Sequence, residues 1–404
     1  MRIGVVGLGY VGLVTSAVLA CKGNSVFGVD VDVSRIQMLR SGKSPIFEPE
    51  LDERIRSGKS NLDFSSDYSK LAKCDVVFLC VPTPNTNNEI DLKYVITAAE
   101  EVKKFNTSLD LVIKSTVLPG TAKKISELTG MNVVSNPEFT REGSAIRDTE
   151  KPDRIVIGGK HVEKIKEIWD FTGSPIIATT NENAELIKYA SNSFLAVKIS
   201  FINQMADLCE KIPGTDINVV AEGMGMDRRI GREFLRAGIG YGGSCFPKDT
   251  VAISSYGEEN GVDLTIVKSA IKYNDSRVST LVEKIKEKLN TLDGKNVCVL
   301  GLSFKDNTDD LRESRALKII EQLSNHGANV KAYDPVVRKL NGVELYNDLN
   351  ECISESEIVI TATEWKVFSD IDPLLLKGKK VFDFRRVFDP KKIELTMGVG
   401  IGKN

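Results

Sequence analysis

One cysteine stands where it could do covalent chemistry. It lies in the run Gly242-Gly243-Ser244-Cys245-Phe246-Pro247-Lys248-Asp249, after two glycines that permit a sharp turn and before a proline suited to the first turn of a helix. The nucleophilic form is the thiolate. A free thiol titrates near ~8.5, and a helix N-terminus with a cation such as Lys248 nearby lowers that value. Cys245 is therefore a candidate nucleophile, against which stands the plainer reading of a buried, inert cysteine in a tight turn. Only two histidines occur, His161 and His326, and neither lies in a motif. Carboxylates, lysine and water would have to move the protons.

The elements that must position such a residue begin at the N-terminus. A strand over residues 2–6 runs into Gly7-Leu8-Gly9-Tyr10-Val11-Gly12 and then an apolar helical stretch, residues 14–20. In a dinucleotide fold these glycines allow the tight turn, the close approach of backbone to pyrophosphate and the close packing of the helix, whose N-terminus receives the phosphates. A second strand, residues 25–29, ends in Asp30, placed to accept a ribose hydroxyl and to repel a 2'-phosphate. NAD is thus expected over NADP; the plain alternative is a glycine-rich turn in an unrelated α/β fold.

Strand and helix go on alternating, with strands over 76–81, 111–114 and 132–135 and a helix over 92–104. Thr83 and Thr116 fall at strand ends, where open parallel sheets bind ligands, although threonine there also serves as a helix cap. After strands at 154–158 and 176–179 the spacing predicts a long helix over residues 183–211, about 42 Å at 1.5 Å per residue. Lys188 and Asn192 share one of its faces, and apolar surface left over on it suits a subunit interface. A second α/β unit follows, with strands at 296–301, 329–333, 358–361 and 380–384 and a helix over 311–325. Its first turn, Gly301-Leu302-Ser303-Phe304-Lys305, lacks GxGxxG. The expected fold is α/β, two Rossmann-like doubly wound lobes joined by a long central helix. The expected divisions are residues 1–182 for NAD, 183–290 for the helical centre with the cysteine loop, and 291–404 for the second lobe.

Composition narrows the partners. A formal net charge of -2 over 404 residues, with no basic cluster, argues against nucleic acid. No apolar run reaches about 18 residues and Met1-Arg2 enters a strand at once, so neither a membrane span nor a signal peptide is expected. The seven cysteines are scattered singly, which suggests reduced thiols in the cytoplasm and no metal site.

Six runs in order, residues 7–13, 81–84, 114–117, 136–139, 242–249 and 301–305, resemble the motifs of the UDP-glucose/GDP-mannose dehydrogenase family. Residues 141–145 and 195–203 look most like its UDP-glucose-oxidising branch. The resemblance implies a four-electron oxidation of UDP-glucose at C6 to UDP-glucuronate by two NAD+, through a thiohemiacetal and thioester on Cys245. It implies that Lys188 and Asn192 stabilise oxyanions, that Asp249 and Thr116 position water or take the first proton, and that Glu138 assists hydrolysis. It gives a cofactor set of Gly7, Gly9, Tyr10, Val11, Gly12, Asp30, Arg35, Thr83, Thr116, Glu142 and Lys248. Its substrate set is Glu138, Phe139, Arg141, Lys188, Asn192, Arg229, Tyr241, Gly242, Lys305 and Arg385, with Arg229 reaching the site of a neighbouring subunit in a homodimer or higher homo-oligomer. Thr140 and Phe384 depart from the family's usual leucine and glycine on loops expected to face substrate. Another nucleotide sugar, GDP-mannose or a UDP-N-acetylhexosamine, is the alternative substrate. A two-electron β-hydroxyacid-type dehydrogenase and a noncatalytic NAD-binding scaffold are the alternative functions.

Overall fold

The computed structural model describes residues 1–86 and 89–402. The chain divides into two compact units, Met1–Ser191 and Asn192–Asn404, and the dividing point falls inside one continuous helix, Asn181–Cys209. That helix begins and ends two residues earlier than the spacing predicts.

The first unit carries β1 (Arg2–Val6), β2 (Ser25–Val29), β3 (Leu62–Ser65) and β4 (Val76–Leu79), a short antiparallel pair β5 (Asn85–Thr86) and β6 (Glu89–Ile90), then β7 (Asp110–Ile113), β8 (Asn132–Ser135), β9 (Ile155–Gly158) and β10 (Ile176–Thr179). The longer strands form one sheet in the order β10-β9-β8-β7-β4-β1-β2-β3, parallel except where β9 meets β8. Helices cover both faces, so the inner strands are apolar throughout instead of alternating, and all of Val76–Leu79 is buried. Neighbouring residues serve opposite faces: Val5 and Phe78 pack with Leu13 and Val18, whereas Val6, Val77 and Leu79 pack with Ala99, Val102 and Ile125. From β1 the chain builds outward to β3 and then returns to the other side at β4. The carboxyl ends of β1 and β4 therefore flank a topological switch point, where such sheets bind ligands.

The second unit contains helices Ile217–Gly225, Phe246–Glu259 and Thr265–Leu289. Its sheet is wholly parallel, built from β11 (Asn296–Leu300), β12 (Asn329–Tyr333), β13 (Glu344–Tyr346), β14 (Ile358–Thr361), β15 (Lys380–Asp383) and β16 (Met397–Gly398) in the order β13-β12-β11-β14-β15-β16. The winding repeats that of the first unit, and so does its opening turn. Gly7 and Gly301 both take left-handed φ, 88° and 92°. Leu8 N donates to Asp30 Oδ2 at 2.7 Å, and Leu302 N to Asp334 Oδ2 at 2.8 Å. The two turns then part. The first helix of this lobe starts at Arg315, not at the expected 311, because Asn307 and Glu313 have left-handed φ values of 57° and 50° that no α-helix accommodates. Among the described residues no helix is long and apolar enough to cross a membrane.

Candidate active site

In the first unit the glycine turn has the tight geometry that a dinucleotide turn requires. A Cβ on Gly12 would lie 1.8 Å from Gly7 O, so the helix can pack this close only with glycine there. A Cβ on Gly9 would meet nothing within 4 Å, which leaves open space over the turn. Helix Tyr10–Cys21 starts at once, with Gly9 as an N-cap that supplies no side-chain bond and with no acidic residue in the first turn. Its leading N–H groups and dipole thus suit a pyrophosphate. Asp30 is buried at the end of β2, where Oδ1 accepts from Asp32 N at 2.9 Å and Oδ2 from Arg35 Nη1 at 2.8 Å. That brings two residues of the expected ribose site together.

Thr83 is not a helix cap. Its hydroxyl donates to Thr116 O at 2.9 Å, and Ser115 Oγ donates to Val81 O at 2.6 Å, so the loops after β4 and β7 are tied edge to edge. The Tyr10 phenol and the Glu48 carboxylate are hydrogen-bonded to each other, and both accept from Gly143 N, at 2.9 and 2.6 Å. Glu48 also accepts from Ala145 N at 2.7 Å, which fixes the turn holding Glu142. Burial, then Glu48, pushes the Tyr10 phenol far above its ordinary pKa, so it stays protonated.

Glu138 and Lys188 meet as a buried ion pair, Lys188 Nζ lying 3.0 Å from Glu138 Oε1. Thr140 donates to Oε2 through its N–H at 2.6 Å and through its hydroxyl. The departure at position 140 thus places an added donor on the carboxylate. Burial alone would raise the Glu138 pKa; Lys188 and the Thr140 donors outweigh it and hold it below the usual carboxylate range. Phe139 is covered by the Arg154 guanidinium, 3.6 Å from the ring centroid, with Lys188 Nζ at 5.4 Å. Arg141 is engaged by Asp148, Nε to Oδ2 at 2.9 Å and Nη2 to Oδ1 at 2.8 Å.

In the second unit Cys245 is exposed and occupies the N-cap of helix Phe246–Glu259, with Pro247 in the first turn as the sequence predicts. Its sulfur therefore sits at the positive end of a helix dipole. Asp249, wholly buried one turn on, accepts from Asn192 Nδ2 at 2.6 Å and from Lys248 Nζ at 2.5 Å. Lys248, expected at the cofactor, is thus bound to Asp249.

The loop before Cys245 hangs from four buried side chains that sequence reasoning missed. Asn203 Oδ1 accepts from Gly238 N at 2.7 Å, and Arg277 Nε donates to Gly238 O at 3.1 Å. Asn274 holds both sides of Tyr241, accepting from its N–H at 2.8 Å and donating to its carbonyl at 3.1 Å, while Arg315 Nε adds a second donor at 2.8 Å. Burial pushes the Tyr241 phenol up to about 12. Gly242 and Gly243 press on the following loops, since a Cβ would lie 2.2 Å from Glu313 O at the first and 2.8 Å from the Phe304 ring at the second.

Arg385 reaches the Phe304–Lys305 turn, Nη2 donating to Phe304 O at 3.4 Å and Nε lying 2.7 Å from Glu364 Oε2. Contrary to the expectation from sequence, Phe384 does not lie on an open loop. It is fully buried against Phe382, ring centroids 6.2 Å apart, because a side chain at the end of an interior parallel strand turns into the core. Arg229 stands at the surface, its side chain 89% exposed and paired with Asp227 at 2.6 Å.

Models of the UDP-glucose/GDP-mannose dehydrogenase family match three successive segments: the NAD binding domain at residues 1–171, the central domain at 182–276 and the UDP binding domain at 298–390. A UDP-glucose 6-dehydrogenase of Bacillus subtilis is 42% identical, the match covering 96% of this chain and 94% of that protein. One from Rhizobium meliloti is 41% identical, with 96% of each covered. Among solved structures, a UDP-glucose dehydrogenase from the hyperthermophilic archaeon Pyrobaculum islandicum superposes with a TM-score of 0.93 at 38% identity, over 99% of this chain and 98% of that one. A UDP-D-ManNAc dehydrogenase from Pyrococcus horikoshii gives 0.90 at 28% identity over the whole of both chains. The uncapped glycine turn lies within the segment matched as the NAD binding domain, and the chain belongs to the UDP-glucose/GDP-mannose dehydrogenase family as an NAD-dependent nucleotide-sugar dehydrogenase.

Proposed function

We propose that the protein oxidises UDP-glucose at C6 to UDP-glucuronate, with Cys245 as the covalent nucleophile. The Gly7–Gly12 turn, with Asp30 and Arg35 at the ribose, would hold NAD+, which when bound would supply the hydride acceptor for both oxidations. The aldehyde left by the first oxidation has no second hydride to give until a nucleophile adds to C6. The Cys245 thiolate forms that C–S bond, and the oxygen, now an alkoxide, is stabilised by Lys188 and Asn192. Loss of the second hydride leaves a thioester, which water cleaves to the acid while Cys245 leaves as thiolate. With donors on both oxygens Glu138 is a weak base, so its part is to orient that water and to keep Lys188 charged. Asp249, held by Asn192 and Lys248, and Thr116 position the water that takes the proton of the C6 hydroxyl in the first oxidation.

The observation that carries this reading is the exposed Cys245 at the N-cap of a helix, on a loop held by four buried polar side chains. Inert structural cysteines are buried; this one is displayed. In this reading residues 1–182 serve NAD, 183–290 carry the cysteine loop and the assembly, and 291–404 take the uridine diphosphate, with Lys305 and Arg385 toward the diphosphate. The assembly is a homodimer or higher homo-oligomer in which Arg229 serves a neighbouring subunit. The test is the ratio of NADH formed to sugar consumed across UDP-glucose, GDP-mannose and the UDP-N-acetylhexosamines. Two NADH per UDP-glucose, at a kcat/KM well above the other sugars, is expected. One NADH, or a better substrate among the alternatives, overturns the corresponding part.

A further inference from the structure

Away from this chemistry, two cysteines meet in the core of the second lobe. Cys298 lies on β11, the strand from which the lobe's sheet is built outward, and Cys352 on helix Leu349–Ser354. Their sulfurs are 2.6 Å apart although the residues are 54 positions distant in sequence. Non-bonded carbon atoms, smaller than sulfur, already rest about 3.5–4.0 Å apart. Both residues are fully buried in an apolar cluster with Leu300, Ile353, Val359 and Phe368. No catalytic step uses either of them.

We propose that Cys298 and Cys352, both free thiols in this structure, are a cross-linking pair that forms a disulfide between β11 and the helix Leu349–Ser354, an exception to the reduced state that the scattered cysteines suggest, while Cys245 remains a thiol. The oxidant is a low-molecular-weight disulfide, and the bond forms by two exchanges. One cysteine thiolate attacks the small disulfide and releases its first thiol; the other then attacks the mixed disulfide and releases the second. The two cysteine protons and two electrons thus end on two small thiols, and one S–S bond replaces another. Burial, then the neighbouring Cys352, pushes the Cys298 thiol well above its ordinary pKa, and neither sulfur is open to solvent. Exchange therefore belongs to the lobe before the helix docks, during folding. Once closed, the bond is shielded from reductant by the same packing.

The test refolds the full-length protein from reducing denaturant into buffer containing oxidised and reduced glutathione. Free thiols are then blocked with iodoacetamide in guanidinium, and the digest is mapped by mass spectrometry. The expected result is one cross-linked pair of peptides carrying Cys298 and Cys352, with five of the seven cysteines alkylated, Cys245 among them. The oxidised protein should melt about 5–15 °C above its reduced form, as expected for closing a long loop. The Cys298→Ala/Cys352→Ala variant should melt at one temperature in both buffers. Alkylation of all seven cysteines, or one and the same midpoint for parent protein refolded with oxidised glutathione and parent refolded wholly in reductant, overturns the proposal.

Discussion

Replacing Lys188 by methionine leaves the Glu138 carboxylate buried without its ammonium. At 3.0 Å the pair's attraction is about 5 kcal/mol at an effective dielectric near 20, opposed by the cost of desolvating both groups. Removing one partner of a buried pair typically costs about 3–5 kcal/mol, because the other charge is left uncompensated. The two Thr140 donors remain on Glu138, so the lower end, about 3 kcal/mol, is expected. Glu138→Gln should cost a similar amount by stranding Lys188. The double variant should cost about 3 kcal/mol again instead of about 6, a coupling near 3 kcal/mol. The chain has two tryptophans, Trp169 in the first unit and Trp365 in the second, so Trp365→Phe makes Trp169 fluorescence a local reporter during guanidinium unfolding. Because the folded pKa of Glu138 is depressed, its contribution is present above the unfolded value near ~4.3 and is lost as pH falls through the folded value. The coupling should fade in acid accordingly. Coupling below about 0.5 kcal/mol at neutral pH would refute the argument.

Burial pushes the Glu185 carboxyl up to about 7, against the Gly120, Ala122 and Ser135 donors that pull it down. A raised carboxyl pKa favours the folded state at low pH and loses that contribution as pH rises from about 4.5 to 7. Glu185→Gln should therefore gain stability relative to the parent across that window, by at most about 3 kcal/mol; a difference flat with pH contradicts this. At the cofactor, Asp30 should hold kcat/KM for NAD+ at least about 100-fold above that for NADP+ through like-charge repulsion, moderated by Arg35, and equal values would remove the assignment. On the central helix Leu186, Phe194, Phe201 and Leu208 form an exposed apolar stripe, Phe194 at 64% exposure. Phe194→Glu/Phe201→Glu should dissociate an isologous assembly, as read by sedimentation, whereas a parent already monomeric and fully active excludes that interface.

Much of this arrangement is legible in residue order, since it rests on local rules. Glycines 7, 9 and 12 between a strand and a helix, Pro247 after Cys245, and the apolar runs of β1, β2, β4 and β8 each specify backbone within a few residues. What sequence reasoning misses is polar and distant. Asn274 and Arg277 interrupt the buried stripe Ala270, Val278, Leu281, Val282 and Ile285 of helix Thr265–Leu289. A polar residue on an otherwise apolar face must find a partner, and that was the available signal; only the tertiary fold shows the partner to be the loop before Cys245. Glu48, likewise, lies 95 residues from the Gly143 amide it accepts from. Position 140 reads as a departure from pattern until its hydroxyl is found on Glu138. The late start of the helix at Arg315 came from left-handed Asn307 and Glu313, which periodicity does not register.

The central claim is that the second oxidation runs through a thioester on Cys245, and the direct measurement is the product of Cys245→Ser with UDP-glucose and NAD+. Serine is nearly isosteric, so nucleotide and sugar affinities should survive, but its hydroxyl is a far poorer nucleophile and leaving group than the thiol. Conversion to UDP-glucuronate should collapse, and the aldehyde UDP-gluco-hexodialdose, which the parent oxidises, should not restore it. UDP-glucuronate formed by Cys245→Ser at a rate near the parent's would contradict the thioester and return Cys245 to a structural role.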